Sequence, residues 1–305
     1  MDAPAREAIS GILLALKQAT APMAILSELI LYPVKSCAGM SVREATLTSA
    51  GLSVDAVYDR DWMVIGEDGQ FLTQREYPRM ALISPRLKSE SLELRAPGML
   101  RLEIPLGLPD PADEITREVT IWDDTVLAYD CDQVTAAWFS HAVGTPCRLV
   151  RFHPSATRFA SAKWTGEAEA PTLFSDGFPV LIIGSASLAD LNGKLVEAGR
   201  EAIPMNRFRP NMVIDGIEAF EEDFADSFVL GEASLKPVKP CPRCPIPSVD
   251  QATGLPGLDP LDILRTYRTK PAMDDAICFG MNSIVTAGDG QRVYVGQRVT
   301  MTLNF

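Results

Sequence analysis

The run DWMVIGEDGQFLTQR, residues 61–75, constrains the fold more than any other stretch. Apolar runs flank the turn signal Glu67-Asp68-Gly69, the pattern of an antiparallel hairpin rather than a helix. ALISPRLKSESLELRAPG, from Ala81, and VTIWDDTVLAY, from Val119, repeat it. Upstream, AILSELILYPVKS is an apolar strand ending in a turn at Pro33, and MSVREATLTSAGLSV alternates loosely. Residues 24–130 therefore predict antiparallel β-structure of a barrel-like kind.

The period then changes. Asp132 is placed to cap a helix through Ala142, with Val134, Ala137, Trp138 and His141 on one face and Gly144 beyond its end. CRLVRF follows as a strand, residues 153–172 as a loop, and FPVLIIG as a buried strand. Ser187 and Asp190 form a capping-box pair before Leu191 and Leu195, with Leu188 on the same face. NMVIDG and SFVLGEASLKPVKP read as strands, PLDILRTYR as a short helix, and RVYVGQRVTMTLNF as two strands paired with each other.

A net charge of −12 argues against nucleic acid as the main partner, because phosphate backbones need a concentrated positive surface. It leaves room for a local basic pocket, and arginine outnumbers lysine. No apolar run reaches membrane-spanning length. The first residues carry a short stripe, Ile9, Ile12, Leu13 and Leu16, which suits an amphipathic or frayed extension and not a signal peptide. Six cysteines in 305 residues do not make a secreted disulfide scaffold, so a reducing cytoplasm is expected.

Cys241 and Cys244 stand three apart in KPVKPCPRCPIPSVDQATG, each followed by proline. Structural zinc needs four ligands, and Cys37, Cys131, Cys147, Cys278, His141 and His153 form no second close pair. Disulfide exchange prefers a cysteine opening a helix, which Pro245 and Pro247 resist. Two readings stay open: inert thiols in a turn, or a rigid extended loop presenting one thiolate to a soft metal. If the metal arrived inside an anionic cofactor, cations elsewhere would have to hold it. Candidates sit in compact clusters: Lys35 and Ser36, Arg60, Arg209 with Asn211, and Asp176 as a hydrogen-bond acceptor.

YPVKSC, DRDWMV, LTQREYPRMALI, SDGFPVLIIGSASLADLN, NRFRPNMVIDG, CPRCPIPSVDQATG and TYR follow one another in this order. Together they resemble the MOSC family of molybdenum-cofactor proteins, which includes the mitochondrial amidoxime-reducing components and YcbX-like bacterial proteins. The resemblance covers residues 24–305. It implies a mostly β fold with some α: an extension at 1–23, a MOSC N-terminal β-barrel-like domain at 24–147 and a MOSC domain at 148–305.

The resemblance further implies the molybdenum cofactor, Mo-molybdopterin, with Cys244 as catalytic metal ligand, preceded by Arg243. Lys35, Ser36, Arg60, Asp176, Arg209 and Asn211 would hold the pterin and its phosphate, with Tyr267 close by. Gly177 and Phe178 stand where relatives carry hydroxylated residues, and Trp122 stands where the mitochondrial proteins have histidine. Two functions follow as expectations. One is an oxidoreductase acting on small N-hydroxylated substrates, including N-hydroxylated bases and amidoximes. Its electrons would come from a separate electron-transfer protein or reductase, because the chain lacks the cysteine spacing of a plant-type ferredoxin domain. The other is a cofactor carrier or sulfur-handling protein without turnover. Related sulfurases add a pyridoxal-phosphate domain for which this chain is too short, so that cofactor is expected only as a family-level association.

Overall fold

The computed structural model describes residues 23–110, 112 and 114–304, so the expected extension lies almost wholly outside the described residues. The elements in chain order are β1 (Ile25–Leu31), β2 (Met40–Val42), β3 (Glu44–Thr48), β4 (Gly51–Val54), β5 (Val57–Tyr58), β6 (Trp62–Ile65), β7 (Ser84–Leu87), β8 (Ser91–Arg95), β9 (Leu102–Pro105), β10 (Thr116–Ile121) and β11 (Asp124–Asp130). Then come α1 (Gln133–Val143), β12 (Arg148–Phe152), α2 (Ala162–Thr165), β13 (Val180–Gly184), α3 (Ser185–Glu197), β14 (Met212–Asp215), β15 (Ala225–Leu230) and β16 (Ala233–Pro242). The chain finishes with α4 (Leu261–Arg265), β17 (Thr269–Lys270), β18 (Ala276–Ala287), β19 (Gln291–Tyr294) and β20 (Thr300–Leu303).

The fold is mostly β with some α, as expected. Three small sheets, β10-β11-β12-β6, β19-β3-β4-β5 and β7-β8-β9, accompany a nine-stranded sheet ordered β2-β1-β14-β13-β18-β16-β15-β20, with β17 beside β18. The hairpins β7–β8 and β10–β11 form where turn chemistry placed them. The stretch after Gly69 pairs with β6 only through the Ile65–Phe71 bridge and the Leu72 to Val64 hydrogen bond.

α1 has the expected ends. Asp132 accepts a hydrogen bond from the Thr135 N–H, and Gly144 closes the helix with a left-handed backbone. Its buried face is different. Thr135, Ala136, Trp138, Phe139, Ala142 and Val143 are buried, whereas Val134 is 72% exposed and Ala137 and His141 face solvent. Rotating the helix this way buries Phe139 and Val143, which together carry more apolar area than Val134 and Ala137.

The Ser187–Asp190 capping box does not form. α3 starts earlier, with Gly184 at the cap position. Ser187 lies inside the helix and donates to buried Glu222 at 2.7 Å, which also accepts the Gly184 N–H at 3.1 Å. A carboxylate from a distant segment thus takes the capping role.

The last two strands do not pair with each other. β19 joins β3 and β20 joins β15. The connecting residues bond to β1, through Gly296 N–H to Leu26 O and Leu26 N–H to Gln297 O, and so divert the hairpin between two sheets.

β18, which alternation does not reveal, is central to the large sheet and buried on both faces over most of its length. Gly280 permits this: its φ is +80°, and a Cβ there would lie 2.6 Å from Ile183 Cγ1. β16 pairs with β18 through register shifts at Pro237–Lys239 and Pro240–Pro242, because proline cannot donate to the ladder. These bulges bend the strand, which delivers Cys241 on its last turn of pleat and Cys244 just beyond. The thiol pair is therefore a strand end followed by a 3-10 turn at Ile246–Ser248, not a free loop.

Candidate functional site

The segments carrying the candidate residues are laced together by backbone hydrogen bonds. Arg60 N–H donates to Tyr32 O and Lys35 N–H to Trp62 O, both at 2.7 Å. Phe174 N–H donates to Arg60 O, and Asn211 N–H to Leu181 O. Gln74, wholly buried, donates to Ser36 O at 2.7 Å and accepts from Gln251 at 2.9 Å, which ties the lysine turn to the segment after the thiols. Arg207 reaches Asp250 at 2.7 Å and the Pro247 and Ser248 carbonyls, anchoring that same segment to the turn bearing Arg209.

The result is a cleft of about 320 Å³. Lys35, Ser36, Arg60, Asp176, Arg209, Asn211, Arg243 and Cys244 line it, together with Cys241 and Trp122. Tyr267 does not. It packs between α3 and α4 with Lys194 Nζ 4.8 Å above its ring and its buried hydroxyl unpartnered, and burial pushes its pKa up. A second cavity of about 350 Å³, lined by Ile30, Gly39 and Met205, has Glu28 as its only charged wall residue and reaches neither thiol.

Backbone strain concentrates at the cleft. Ser36, Arg60, Trp122 and Arg209 have φ values of 64°, 55°, 55° and 56°. They are four of the eight non-glycine residues in the left-handed region among the described residues, each costing of order 1 kcal/mol or more. Strain of this kind persists where surrounding structure dictates where a side chain must point.

The electrostatics are unbalanced toward positive charge. Lys35 donates to Asp176 and, at 2.9 Å, to Phe174 O. Arg60 pairs with Asp59 and touches Asn211 Oδ1 at 3.2 Å. Burial lowers the Lys35 pKa even against the pull of Asp176. Burial would lower that of Arg60 too, but Asp59 outweighs it and the value rises. Asp176 faces the open cleft, with its side chain 74% exposed to the solvent filling it. Protein mass around it opposes its ionisation, yet Lys35 and Arg60 prevail and hold its carboxyl well below the usual carboxylate range.

Arg209 is 8% exposed, its Nη1 has no partner, and burial depresses its pKa. Its guanidinium and that of Arg60 lie 4.3 and 4.4 Å from the Tyr32 ring centre, so one buried ring serves two cations. Such a site lacks counter-charge and would gain by admitting an anion.

All six cysteines are free. Arg243 Nη1 donates to Cys241 Sγ at 3.2 Å and its Nη2 to Phe208 O at 2.8 Å. The Cys241 sulfur is thus engaged by its neighbour, and no hydrogen bond engages Cys244 among the described residues. No cluster of three His, Cys, Asp or Glu among the described residues could hold a bare metal ion. A metal at Cys244 must bring its other donors with it. The chemistry present, one free sulfur above buried, under-compensated cations, fits an anionic organic cofactor carrying a metal.

Residue patterns matching the MOSC N-terminal beta barrel domain occupy 23–146, and those of the MOSC domain occupy 169–300. The chain belongs to the MOSC family. This MOSC protein is 36% identical over 220 residues to mitochondrial amidoxime reducing component 2 of Rattus norvegicus, covering 70% of this chain and 63% of that one. To the human mitochondrial amidoxime-reducing component 1 it is 35% identical over 219 residues, with the same coverage. To the molybdenum cofactor sulfurase of Oryza sativa it is 32% identical over 230 residues, covering 71% of this chain and 27% of that one. The chain thus spans under two thirds of the length of these relatives.

The MOSC cleft contains residues that sequence patterns did not single out. Arg75, Thr73, Lys239 and Asn282 also line it. Arg158, 7% exposed, lies behind it and donates to the Leu173, Ser175 and Asp176 carbonyls, which fixes the loop bearing Asp176. Nothing local distinguishes these cations from solvated ones: Arg158 is held by carbonyls fifteen to eighteen residues on, and Arg75 and Lys239 meet the cleft only through the fold.

Proposed function

We propose that this MOSC protein binds the molybdenum cofactor in the cationic cleft and reduces small N-hydroxylated compounds with electrons from a separate electron-transfer protein. The observation that carries this is a cleft sulfur, Cys244, with no hydrogen bond among the described residues, sharing the cleft with three largely buried cations in a chain of net charge −12. The names of the amidoxime-reducing relatives support the substrate class, and the sulfurase match supports the cofactor. The free state of the six cysteines suits a reducing compartment such as the cytoplasm. No helix among the described residues is long and apolar enough to cross a membrane.

When bound, the cofactor supplies two-electron exchange at its metal. The chain's own residues do the rest. Cys244 gives a thiolate ligand, and Arg243 keeps Cys241 turned to itself so that one sulfur is presented. Lys35, Arg60 and Arg209 would neutralise the cofactor's phosphate and hold its pterin, while Asn211, bonded to Leu181 N–H and Ile30 O, is held rigidly as a polar contact. The overall reaction balances as R–NH–OH plus two protons and two electrons giving R–NH₂ plus water.

The test is molybdenum and pterin analysis of protein made in a molybdenum-replete host, followed by reduction assays on amidoximes and N-hydroxylated bases with a strong artificial donor. Bound molybdenum with no reduction would instead identify a carrier, the reading that the sulfurase likeness favours. Cys244→Ala should abolish turnover and metal retention, and Cys241→Ala should be far milder. The reverse order would exchange the two roles.

A further inference from the structure

At the cleft mouth, two cations are not committed to the buried cluster. Arg75 is exposed and Lys239 half-buried, and both line the cleft. Neither takes part in an ion pair among the described residues. Arg75 touches Thr73 Oγ1 at 3.3 Å and lies 4.8 Å from the Trp122 ring centre. Lys239 Nζ sits 5.2 Å from the Trp164 ring and 5.9 Å from that of Phe178.

Trp122 is the second observation. It is 44% exposed, an unfavourable setting for so large an apolar surface. It occupies the two-residue turn between β10 and β11 with a φ of 55°. Its indole N–H donates to Asp176 Oδ1 at 3.3 Å, and its ring packs on Phe71 at 5.0 Å. A strained turn, a hydrogen bond, one ring contact with Phe71 and the Arg75 guanidinium over the ring hold one exposed indole in the cleft wall. That is the construction of a prearranged stacking platform, not of a loose surface residue.

A platform in a cleft also lined by two cations without an ion pair among the described residues selects by shape and charge together. We infer that the rim formed by Trp122, Arg75 and Lys239 recognises a planar, conjugated substrate bearing a negative group, placing its N–OH end inward and its anionic end at the mouth. This rests on the reductase reading for the reaction, but the recognition itself stands on rim geometry. Stacking on aromatic rings and charge-assisted bonds to guanidinium or ammonium supply the grip. Buried Lys35 and Arg209, with ion-paired Arg60, serve the cofactor, and the outer pair, outside any ion pair among the described residues, serves the substrate.

The experiment compares benzamidoxime with para-carboxybenzamidoxime, which share the reacting group and ring and differ by one carboxylate. The nucleoside N-hydroxycytidine and its monophosphate form a second arm that separates carboxylate from phosphate recognition. Calorimetry on oxidised holoprotein without an electron donor reads binding alone. The anionic partner should bind roughly ten-fold tighter or better in at least one arm. In Arg75→Gln/Lys239→Gln the preference should shrink toward unity, with KM of the anionic substrate rising more than its kcat falls. Equal binding of charged and neutral partners in both arms overturns the inference, as does a preference that survives the double substitution. Selective binding without turnover would retain the rim assignment and remove the reductase reading. Both substituted side chains are outside the hydrophobic core, and an unchanged unfolding temperature confirms that the variant folds.

Discussion

Arg209 carries its charge at 8% exposure without an ion pair among the described residues, in a left-handed backbone conformation. A buried cation without a partner costs several kcal/mol, and contact with the Tyr32 ring returns about 0.5–2 of that. Arg209→Met keeps the stem volume and removes the charge. It should leave the cofactor-free protein at least as stable, while lowering affinity for the cofactor by roughly ten- to hundred-fold, the worth of one charge-assisted contact. Thermal unfolding of the apoprotein and pterin content of the holoprotein read the two effects separately. Asp61 shows the opposite sign of frustration. Burial outweighs Arg151, 3.0 Å away, and pushes the Asp61 pKa up to about 6. The unfolded value is about 3.9, so between those values the folded state holds a proton that the unfolded chain has released. Stability should therefore fall as pH rises through that window, by up to about 3 kcal/mol, and return only as pH drops below it. Asp61→Asn should flatten this slope in urea titrations run from about pH 4 to about pH 7.

At the scale of elements, local chemistry predicted the ends of α1 better than its buried face. Asp132 and Gly144 bound α1 because capping involves atoms only a few residues apart. Asp132→Ala should cost about 1 kcal/mol in chemical denaturation, the usual value of a cap. The buried face of α1 depends instead on which elements pack against it: of the expected stripe, Trp138 is buried, whereas Val134, Ala137 and His141 are exposed. α3 is the opposite case: its expected face, Leu191 and Leu195, is buried, but its capping carboxylate is Glu222, thirty-five residues beyond Ser187 in the chain. Prolines at 237, 240 and 242 announce an interrupted strand, but the pairing with β18 determines which way the bulges aim the cysteines.

Across the whole molecule, each half completes the other's sheets. β1 and β2 enter the nine-stranded sheet beside β14, and β19 crosses back to β3. A fragment of residues 24–147 would leave β1 without β14 and β3 without β19. The intact chain should unfold in a single calorimetric transition, whereas that fragment should show no cooperative transition of its own. Two separate transitions in the intact chain would contradict this coupling. The cleft lies where the halves meet, which is why its walls draw on residues from Lys35 to Asn282.

The amino-acid sequence alone determined the strand-rich class, the hairpin turns, the ends of α1 and the order of motifs that marks the MOSC family. Those depend on short-range backbone preferences and on residue identity. Only the tertiary structure decided that Lys35, Arg60 and Arg209 line one cleft with Cys244, that Tyr267 stands apart, and that Arg75 and Lys239 line the same cleft. Convergence depends on pairings between distant strands, and a one-dimensional pattern does not record which cation has a counter-ion and which has none.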